Sequence, residues 1–171
     1  MSGPSTLRAS LSLALRSLLW VILLPGLVAL VVPWTFFGLG QVRPDPSQPL
    51  HLIGLLAVGA GGVLFGACVW EFAREGRGTL SPADPPKVLV VRGLYRYVRN
   101  PMYLSVTLVL LGEALLAGSA ALLAYWAIWF LGVNVFVLWY EEPILRRRFG
   151  ASYESYTRRI RRWLPRLRER E

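Results

Sequence analysis

The chain has 171 residues, of which 54% are hydrophobic, and a formal net charge of +9. This composition, with a mean hydropathy of +0.46, excludes an ordinary soluble domain and indicates a single polytopic membrane domain over residues 1–171. One cysteine and one histidine exclude an intrachain disulfide and argue against a metal site or a histidine-based triad.

Long uncharged stretches predict four membrane-spanning helices in an all-α fold. The first, at about 15–37, is longer than a signal-peptide core, and Pro25 and Pro33 predict a kink in it. The second, at about 50–72, is rich in glycine and alanine. Small residues predict a close-packed helix at the centre of the bundle, although an apolar helix without a special contact role is the alternative.

The apolar stretch of 41 residues from Asn100 to Tyr140 is too long for one crossing. As a single helix it would measure about 61 Å, roughly twice the hydrocarbon core of a bilayer. We therefore predict two spans, at about 101–117 and 120–139, with a turn at Gly118-Ser119. Such an antiparallel hairpin returns Glu141-Glu142 to the face that holds Arg99.

Four spans place both termini on one face, together with the linker at 73–100 and the tail at 143–171. That face carries 18 of the 19 lysines and arginines, and Arg43 lies opposite. By the positive-inside rule this face is cytoplasmic, so we expect an inner-membrane protein with its active site on the cytoplasmic side.

The linker and the tail are the two long polar segments. The linker contains a proline-rich loop and a short β-like run, Lys87–Val91. The tail has a helical apolar stripe with arginines on the other face, which predicts an amphipathic helix on an anionic membrane surface, with a break at Gly150. Nucleic-acid binding is the rival interpretation, but a tail tethered behind a span meets lipid first. The stripe consists of Leu145, Phe149, Tyr153, Tyr156, Ile160 and Trp163.

The motif GLYRYVRNPMY, Gly93 to Tyr103, lies where the linker meets the third span. Asn100 is predicted as the N-cap and Pro101 as the first residue of a helix. Opposite this motif, Glu141-Glu142 provides acceptors for hydroxyls or an ammonium group. These are contacts that an S-adenosylmethionine-type ligand needs, although chemistry alone does not select that ligand. The alternative is that Glu142 pairs with Arg146 and that the linker arginines bind lipid phosphates.

This motif, followed about forty residues later by EEPILRRRFGASYESY, resembles the isoprenylcysteine carboxyl methyltransferase and phospholipid methyltransferase family of integral membrane enzymes. The family pattern is Arg-His-Pro-x-Tyr at the first site, and Glu-Glu followed by Phe-Gly-x-x-Tyr at the second. The resemblance implies S-adenosylmethionine-dependent methyl transfer to a lipophilic acceptor, either a phospholipid amine or an isoprenoid-linked group. The alternative function is a non-enzymatic membrane protein whose basic tail binds anionic lipid or a partner.

The resemblance also implies which residues form the cofactor site. Those expected to line the cofactor through backbone groups are Lys87, Val88, Leu89 and Val90. Those expected to hold adenine and ribose are Tyr95, Asn100, Pro101, Met102 and Tyr103. Glu141 is expected to bind a polar cofactor group. Those expected to shape or close the pocket are Glu142, Phe149, Tyr153 and Tyr156. For Arg99 and Tyr97, cofactor binding and an interfacial role both remain open.

Two positions depart from the family pattern. Asn100 replaces the usual histidine, and an amide cannot act as a base. Val137 stands where carboxyl-methylating members carry a substrate-binding arginine, one turn before the acidic pair, which weakens the case for a prenylcysteine carboxylate. We assign no catalytic base. For Glu113, within the third span, a structural role with a hydrogen bond to Tyr125 or Asn134 is preferred over catalysis.

Overall fold

The computed structural model describes residues 24–75, 89 and 91–165. For residues 72–75 it describes the backbone alone. Short 3₁₀ turns lie at Leu39–Gln41 and Gly93–Arg96. No strand occurs in these ranges, so the all-α prediction is confirmed. Most of the β-like run at Lys87–Val91 lies outside them. The helices are α1 Leu24–Phe36, α2 Pro49–Glu75, α3 Pro101–Ala117, α4 Ala120–Phe149 and α5 Ala151–Arg159.

Two of these helices are long and apolar enough to cross a membrane, namely α2 over Pro49–Glu71 and α4 over Ala120–Phe149. Helices α1 and α3 are apolar but shorter, and the predicted start of the first span lies outside the described residues. The outward surfaces of α2 and α4 are apolar. Such a surface is typical of helices that face lipid, because the hydrocarbon chains of lipids form no hydrogen bonds with side chains. Its most exposed members include Leu56, Val63, Ile128 and Leu131.

The central helix is α3, which contacts α2, α4 and the first turns of α1. The prediction that the glycine-rich second span is central was therefore wrong for the part of the chain that the structure describes, in which only one face of α2 is packed. On that face, a Cβ added to Gly54 would lie 2.8 Å from the carbonyl oxygen of Gly112, and one on Gly61 would lie 2.7 Å from that of Ser105. Gly59, Gly62 and Gly66 have nothing within 4 Å. The small residues thus allow one close backbone contact, between α2 and α3.

This contact predicts opposite effects for two substitutions on the same helix. Gly54→Ala places a methyl group against backbone atoms of α3, and we expect it to lower the free energy of unfolding by about 1–3 kcal/mol. Gly59→Ala meets open space and should be neutral or stabilising by up to about 1 kcal/mol, because alanine favours a helix. Unfolding in detergent micelles measures both. Equal stability of the two variants would contradict the packing described here.

The hairpin between α3 and α4 turns at Gly118-Ser119, as predicted. Gly118 has a φ of 55°, in the left-handed region that glycine adopts without strain. Its N–H donates to the Ala114 and Leu115 carbonyls and so ends α3. The Ser119 hydroxyl oxygen then accepts a hydrogen bond from the Leu122 N–H at 3.3 Å, which caps α4.

A π turn at Val137–Glu141 interrupts the α-helical pattern of α4 two residues before Pro143. A second π turn, Leu27–Val31, precedes Pro33 with the same spacing. Proline lacks an N–H and crowds the carbonyl four residues earlier, so a wider turn relieves the clash. The predicted disturbance of the first span therefore takes the form of a π turn. The helix that contains the predicted fourth span continues past residue 139 to Phe149.

The tail departs from the single stripe that the sequence predicts. Gly150 does break it, with a φ of 51°, between α4 and α5. Helix α5 ends at Arg159, and Ile160 is already extended, with φ −113° and ψ 129°. The prediction that the helical stripe continues to Trp163 was therefore wrong, because Trp163 lies beyond the end of α5. Residues 160–165, here called the C-terminal strap, have no regular structure.

Candidate functional site

The hairpin brings Glu141 to the start of α3, as the sequence predicted. The Tyr103 hydroxyl, in the first turn of α3, donates a hydrogen bond to the Glu141 carboxylate. The Tyr103 ring also meets the Phe136 ring edge-on, with centroids 6.5 Å apart. Phe136 in turn lies 5.1 Å from the Tyr140 ring. A carboxylate and three aromatic rings therefore share one end of the hairpin.

Two buried polar atoms at this end have no hydrogen-bond partner among the described residues. One is Glu141 Oε2, an acceptor, and the other is Arg99 Nε, a donor. Buried polar atoms are normally paired, and unpaired ones call for a ligand, a water molecule or a functional explanation. An acceptor and a donor beside aromatic rings match a ligand that carries hydroxyl, ammonium and carboxylate groups. The residues present thus fit S-adenosylmethionine.

Glu142 holds two arginines from distant parts of the chain. Its Oε1 lies 3.1 Å from Arg99 Nη1 and 2.8 Å from Arg162 Nε. The Glu142 side chain is only 8% exposed, and that of Arg99 is 11% exposed. The alternative pairing of Glu142 with Arg146 was therefore wrong. Glu142 instead fastens both the loop before α3 and the C-terminal strap to α4.

Three further hydrogen bonds fix the position of the tail. Two of them join it to the loop before α3: the Arg99 N–H donates to the Arg161 carbonyl at 2.9 Å, and the Tyr156 hydroxyl donates to the Tyr95 carbonyl at 2.8 Å. In the third, Trp163 Nε1 donates to Asn134 Oδ1 on α4 at 2.9 Å. The tail thus covers the loop before α3 and reaches the side of α4.

The tyrosines of this region stay protonated. Burial raises the pKa of the Tyr95 phenol, and the neighbouring Cys68 and Glu141 side chains raise it further. Burial likewise raises the pKa of Tyr156, and Arg99 opposes that effect only in part. The pKa of Tyr153 is raised first by burial and then by Glu142. These phenols therefore keep their protons at neutral pH and do not act as bases.

The loop that leads into α3 has the predicted order but lacks a side-chain cap. Pro101 is the first residue of α3 and is fully buried. Asn100 occupies the predicted N-cap position, and its backbone carbonyl accepts the first helical bond from the Leu104 N–H at 3.1 Å, but its side chain makes no capping hydrogen bond. Met102 and Leu89 are half-buried. The remaining predicted positions, Lys87, Val88 and Val90, lie outside the described residues.

Glu113 does not make the contacts that the sequence analysis preferred. The Tyr125 hydroxyl donates to the Val28 carbonyl, and the Asn134 amide donates to the Phe130 carbonyl. Glu113 is 4% exposed, and its Oε2 has no partner in the described part of the chain. It lies at the far end of α3 from the Tyr103–Glu141 contact, so it does not belong to that site.

Two residues of the site were not singled out by sequence. Glu71 accepts hydrogen bonds from the loop, and Arg162 pairs with Glu142. Asn134, predicted as a possible partner of Glu113, instead accepts a hydrogen bond from Trp163. Arg162 is one of many tail arginines, so composition could not distinguish it. A carboxylate in the last apolar turn of α2, facing a basic linker, was a signal that could have identified Glu71.

Comparisons with known proteins agree with this geometry. A family model described as phospholipid methyltransferase matches residues 50–152, which is more than half of the chain and includes α2, the loop and the acidic pair. A protein of Haemophilus influenzae that is named only as an uncharacterized protein is 38% identical over 63 residues. Those residues are 37% of this chain and 100% of that relative. No solved structure matches the chain.

Proposed function

Because the chain belongs to the phospholipid methyltransferase family, we propose that it transfers a methyl group from S-adenosylmethionine to a lipid acceptor. The observation that carries the proposal is two buried polar atoms without a hydrogen-bond partner among the described residues, Glu141 Oε2 and Arg99 Nε. Glu141 accepts from Tyr103, and Arg99 pairs with Glu142, the next residue. A membrane protein that only scaffolds lipid through its tail, the alternative function, gives no reason to leave a donor and an acceptor unpaired on the residues of the two motifs.

The residues at the hairpin end have complementary binding roles. Glu141 accepts hydrogen bonds from hydroxyl or ammonium groups, Arg99 donates to a carboxylate, and Tyr103 offers an aromatic face to a cation. S-adenosylmethionine, when bound, supplies a methyl group on a sulfonium. Tyr95 and Asn100 belong to the loop before α3, and Pro101 and Met102 are the first residues of α3. We place all four around the ligand as well.

The chain needs little acid–base chemistry for this reaction. In-line methyl transfer depends mainly on alignment of the reactants and exclusion of water, effects that supply up to about 7–11 kcal/mol. The Glu142 pairs and the Tyr156 hydrogen bond hold the loop and the strap together, and they thereby keep water from the site. No base is assigned, because a neutral amine acceptor would attack with its own lone pair, and the proton left on its nitrogen would pass to water.

An amine is the acceptor that the site favours. Val137, at the position where the carboxyl-methylating members of the family pattern carry an arginine, is an apolar side chain and is 1% exposed. A carboxylate acceptor would find no cation there, whereas an ammonium or amine would meet Glu141 and the aromatic rings. We therefore rank a phospholipid amine ahead of an isoprenoid-linked group.

The orientation of the protein follows from its charges. We propose that both termini and the site face the cytoplasm, in the inner membrane of the cell, and that the lipid acceptor reaches the site from the bilayer. The arginines of α4 and α5 would then lie at the anionic surface of that leaflet. No metal or nucleic acid takes part in this proposal.

A transfer assay tests the function. Protein in lipid nanodiscs that contain an aminophospholipid is supplied with methyl-labelled S-adenosylmethionine, and the lipids are separated afterwards. We expect label in an N-methylated phospholipid, none with Glu141→Ala, and full transfer with Glu154→Ala, since Glu154 is exposed. Label in an isoprenoid-linked product would move the acceptor to that class. Absence of label from every lipid fraction of an aminophospholipid and isoprenoid mixture would contradict the proposal.

A further inference from the structure

Glu71 joins the cytoplasmic end of α2 to the loop that carries the motif. Its two carboxylate oxygens accept hydrogen bonds from the Leu94 N–H, at 3.1 and 3.3 Å, across 23 residues of sequence. Leu94 belongs to the 3₁₀ turn Gly93–Arg96, and the first N–H groups of such a turn have no partner within it. The carboxylate therefore acts as a side-chain cap from another helix.

The preceding residue fits this contact. Gly93 has a φ of 52°, a conformation that favours glycine. A Cβ at Gly93 would also collide with the Glu71 carboxylate, so the carboxylate occupies the space that any other side chain would need. Two independent features therefore favour glycine at position 93: the positive φ of its backbone and the close approach of the Glu71 carboxylate.

The turn held by Glu71 leads directly to the candidate site. It contains Tyr95, whose carbonyl accepts the Tyr156 hydroxyl, and it precedes Arg99. The C-terminal half of the chain fastens the loop at Tyr95 and Arg99 through Tyr156, Glu142 and Arg161. Glu71 fastens it at its beginning, from α2.

We propose that Glu71 is a positioning residue for S-adenosylmethionine, which holds the Gly93–Arg96 turn so that Tyr95 and Arg99 face the ligand in a fixed arrangement. The residue does not touch the ligand itself. This inference rests on the proposed function, and it adds a residue from α2 that the motif in the loop does not include.

Calorimetric titration of the full-length protein with S-adenosylmethionine tests this role. A hydrogen bond to an ionised group is strong, and its loss lets the turn adopt other conformations, so we expect Glu71→Ala to raise Kd by about 10- to 100-fold. The number of binding sites should stay at the wild-type value, because the loop is loosened and not unfolded. Glu71→Gln keeps an acceptor oxygen and should restore most of the affinity. Glu154→Ala, an exposed glutamate on α5, serves as the control and should bind as wild type.

A double-mutant comparison tests the contact between Glu71 and Gly93 separately, and Glu71→Gln keeps the proposal testable if Glu71→Ala proves unstable. Gly93→Ala collides with Glu71 in the wild type, whereas in the Glu71→Ala background only the backbone strain remains. The loss of affinity from Gly93→Ala should therefore be larger in the wild-type background.

The outcomes separate the two proposals. A wild-type protein that does not bind S-adenosylmethionine would overturn the proposed function and this role with it. Wild-type binding with an unchanged Kd for Glu71→Ala would overturn the positioning role alone. Fewer binding sites at an unchanged Kd would also overturn it, because that result describes partial unfolding.

Discussion

Replacing Glu141 with alanine is expected to weaken S-adenosylmethionine binding by about 100-fold. Its Oε2 is buried and has no hydrogen-bond partner among the described residues, and its other oxygen accepts a hydrogen bond from the Tyr103 hydroxyl. The change removes a charged acceptor, worth about 1.5–3 kcal/mol for each hydrogen bond, and leaves the Tyr103 hydroxyl without its partner. Calorimetric titration in detergent measures the affinity, and the melting temperature of the same sample shows that the variant is folded.

Two further variants are compared with Glu141→Ala: Glu141→Gln, which removes the charge but keeps the shape, and Glu154→Ala, which is the control. Glu141→Gln keeps the size of the side chain and one carbonyl acceptor, so we expect a loss of about tenfold, between wild type and alanine. Glu154→Ala should leave the affinity unchanged, because that side chain is exposed on α5. Wild-type affinity for Glu141→Ala would remove this residue from the site.

Replacing Glu142 with glutamine is expected to cause the largest loss of stability. The carboxylate pairs with Arg99 and Arg162, and the Arg99 side chain is only 11% exposed. Removing one partner of a buried pair leaves the other charge uncompensated, which costs about 3–5 kcal/mol. Chemical unfolding in micelles measures this effect.

The control for Glu142→Gln is Arg162→Gln, which changes the more exposed partner of Glu142. Arg162→Gln leaves Glu142 paired with Arg99, and the Arg162 side chain is 25% exposed, so the loss should be clearly smaller. Hydrogen exchange adds a local measurement, because the Arg99 N–H is bonded to the Arg161 carbonyl. Faster exchange there should accompany Glu142→Gln. Wild-type stability and exchange in Glu142→Gln would contradict the pairing.

The hairpin was predictable because its signals are local. An uncharged run too long for one crossing must turn, and Gly118-Ser119 is the point at which glycine and a capping hydroxyl occur together. The same reasoning placed Glu141-Glu142 on the face that holds Arg99, since an antiparallel hairpin returns the chain to the side on which it began. The π turn before Pro143 was missed, because the uncharged run ends at about residue 139 and Pro143 begins the basic tail, so the sequence does not indicate one helix that continues through both.

The tail contacts could not be predicted in the same way. A periodic stripe continues through Ile160 and Trp163, but whether the backbone stays helical depends on partners elsewhere in the fold. Here Trp163 finds Asn134 and the Phe130 ring, and Arg161 finds the loop before α3. Glu142 illustrates the same point, because the nearest arginine in sequence, Arg146, is not its partner. Long-range pairing among many similar arginines leaves no local signal.

The packing of α2 shows that a high content of small residues does not by itself identify the central helix. Its many small residues predicted a central helix, but a helix presents only one face to a neighbour. Gly54 and Gly61 lie on the face that meets α3, whereas Gly59, Gly62 and Gly66 face open space. Counting glycines therefore identified a close contact without identifying which helix is surrounded.

The most direct test is calorimetric titration of the wild-type protein, in nanodiscs, with S-adenosylmethionine and with its demethylated product. We predict saturable binding of both at about one site per chain, with the affinity lost in Glu141→Ala and kept in Glu154→Ala. A folded wild-type sample that binds neither ligand would contradict the account and favour a membrane protein that acts through its basic tail.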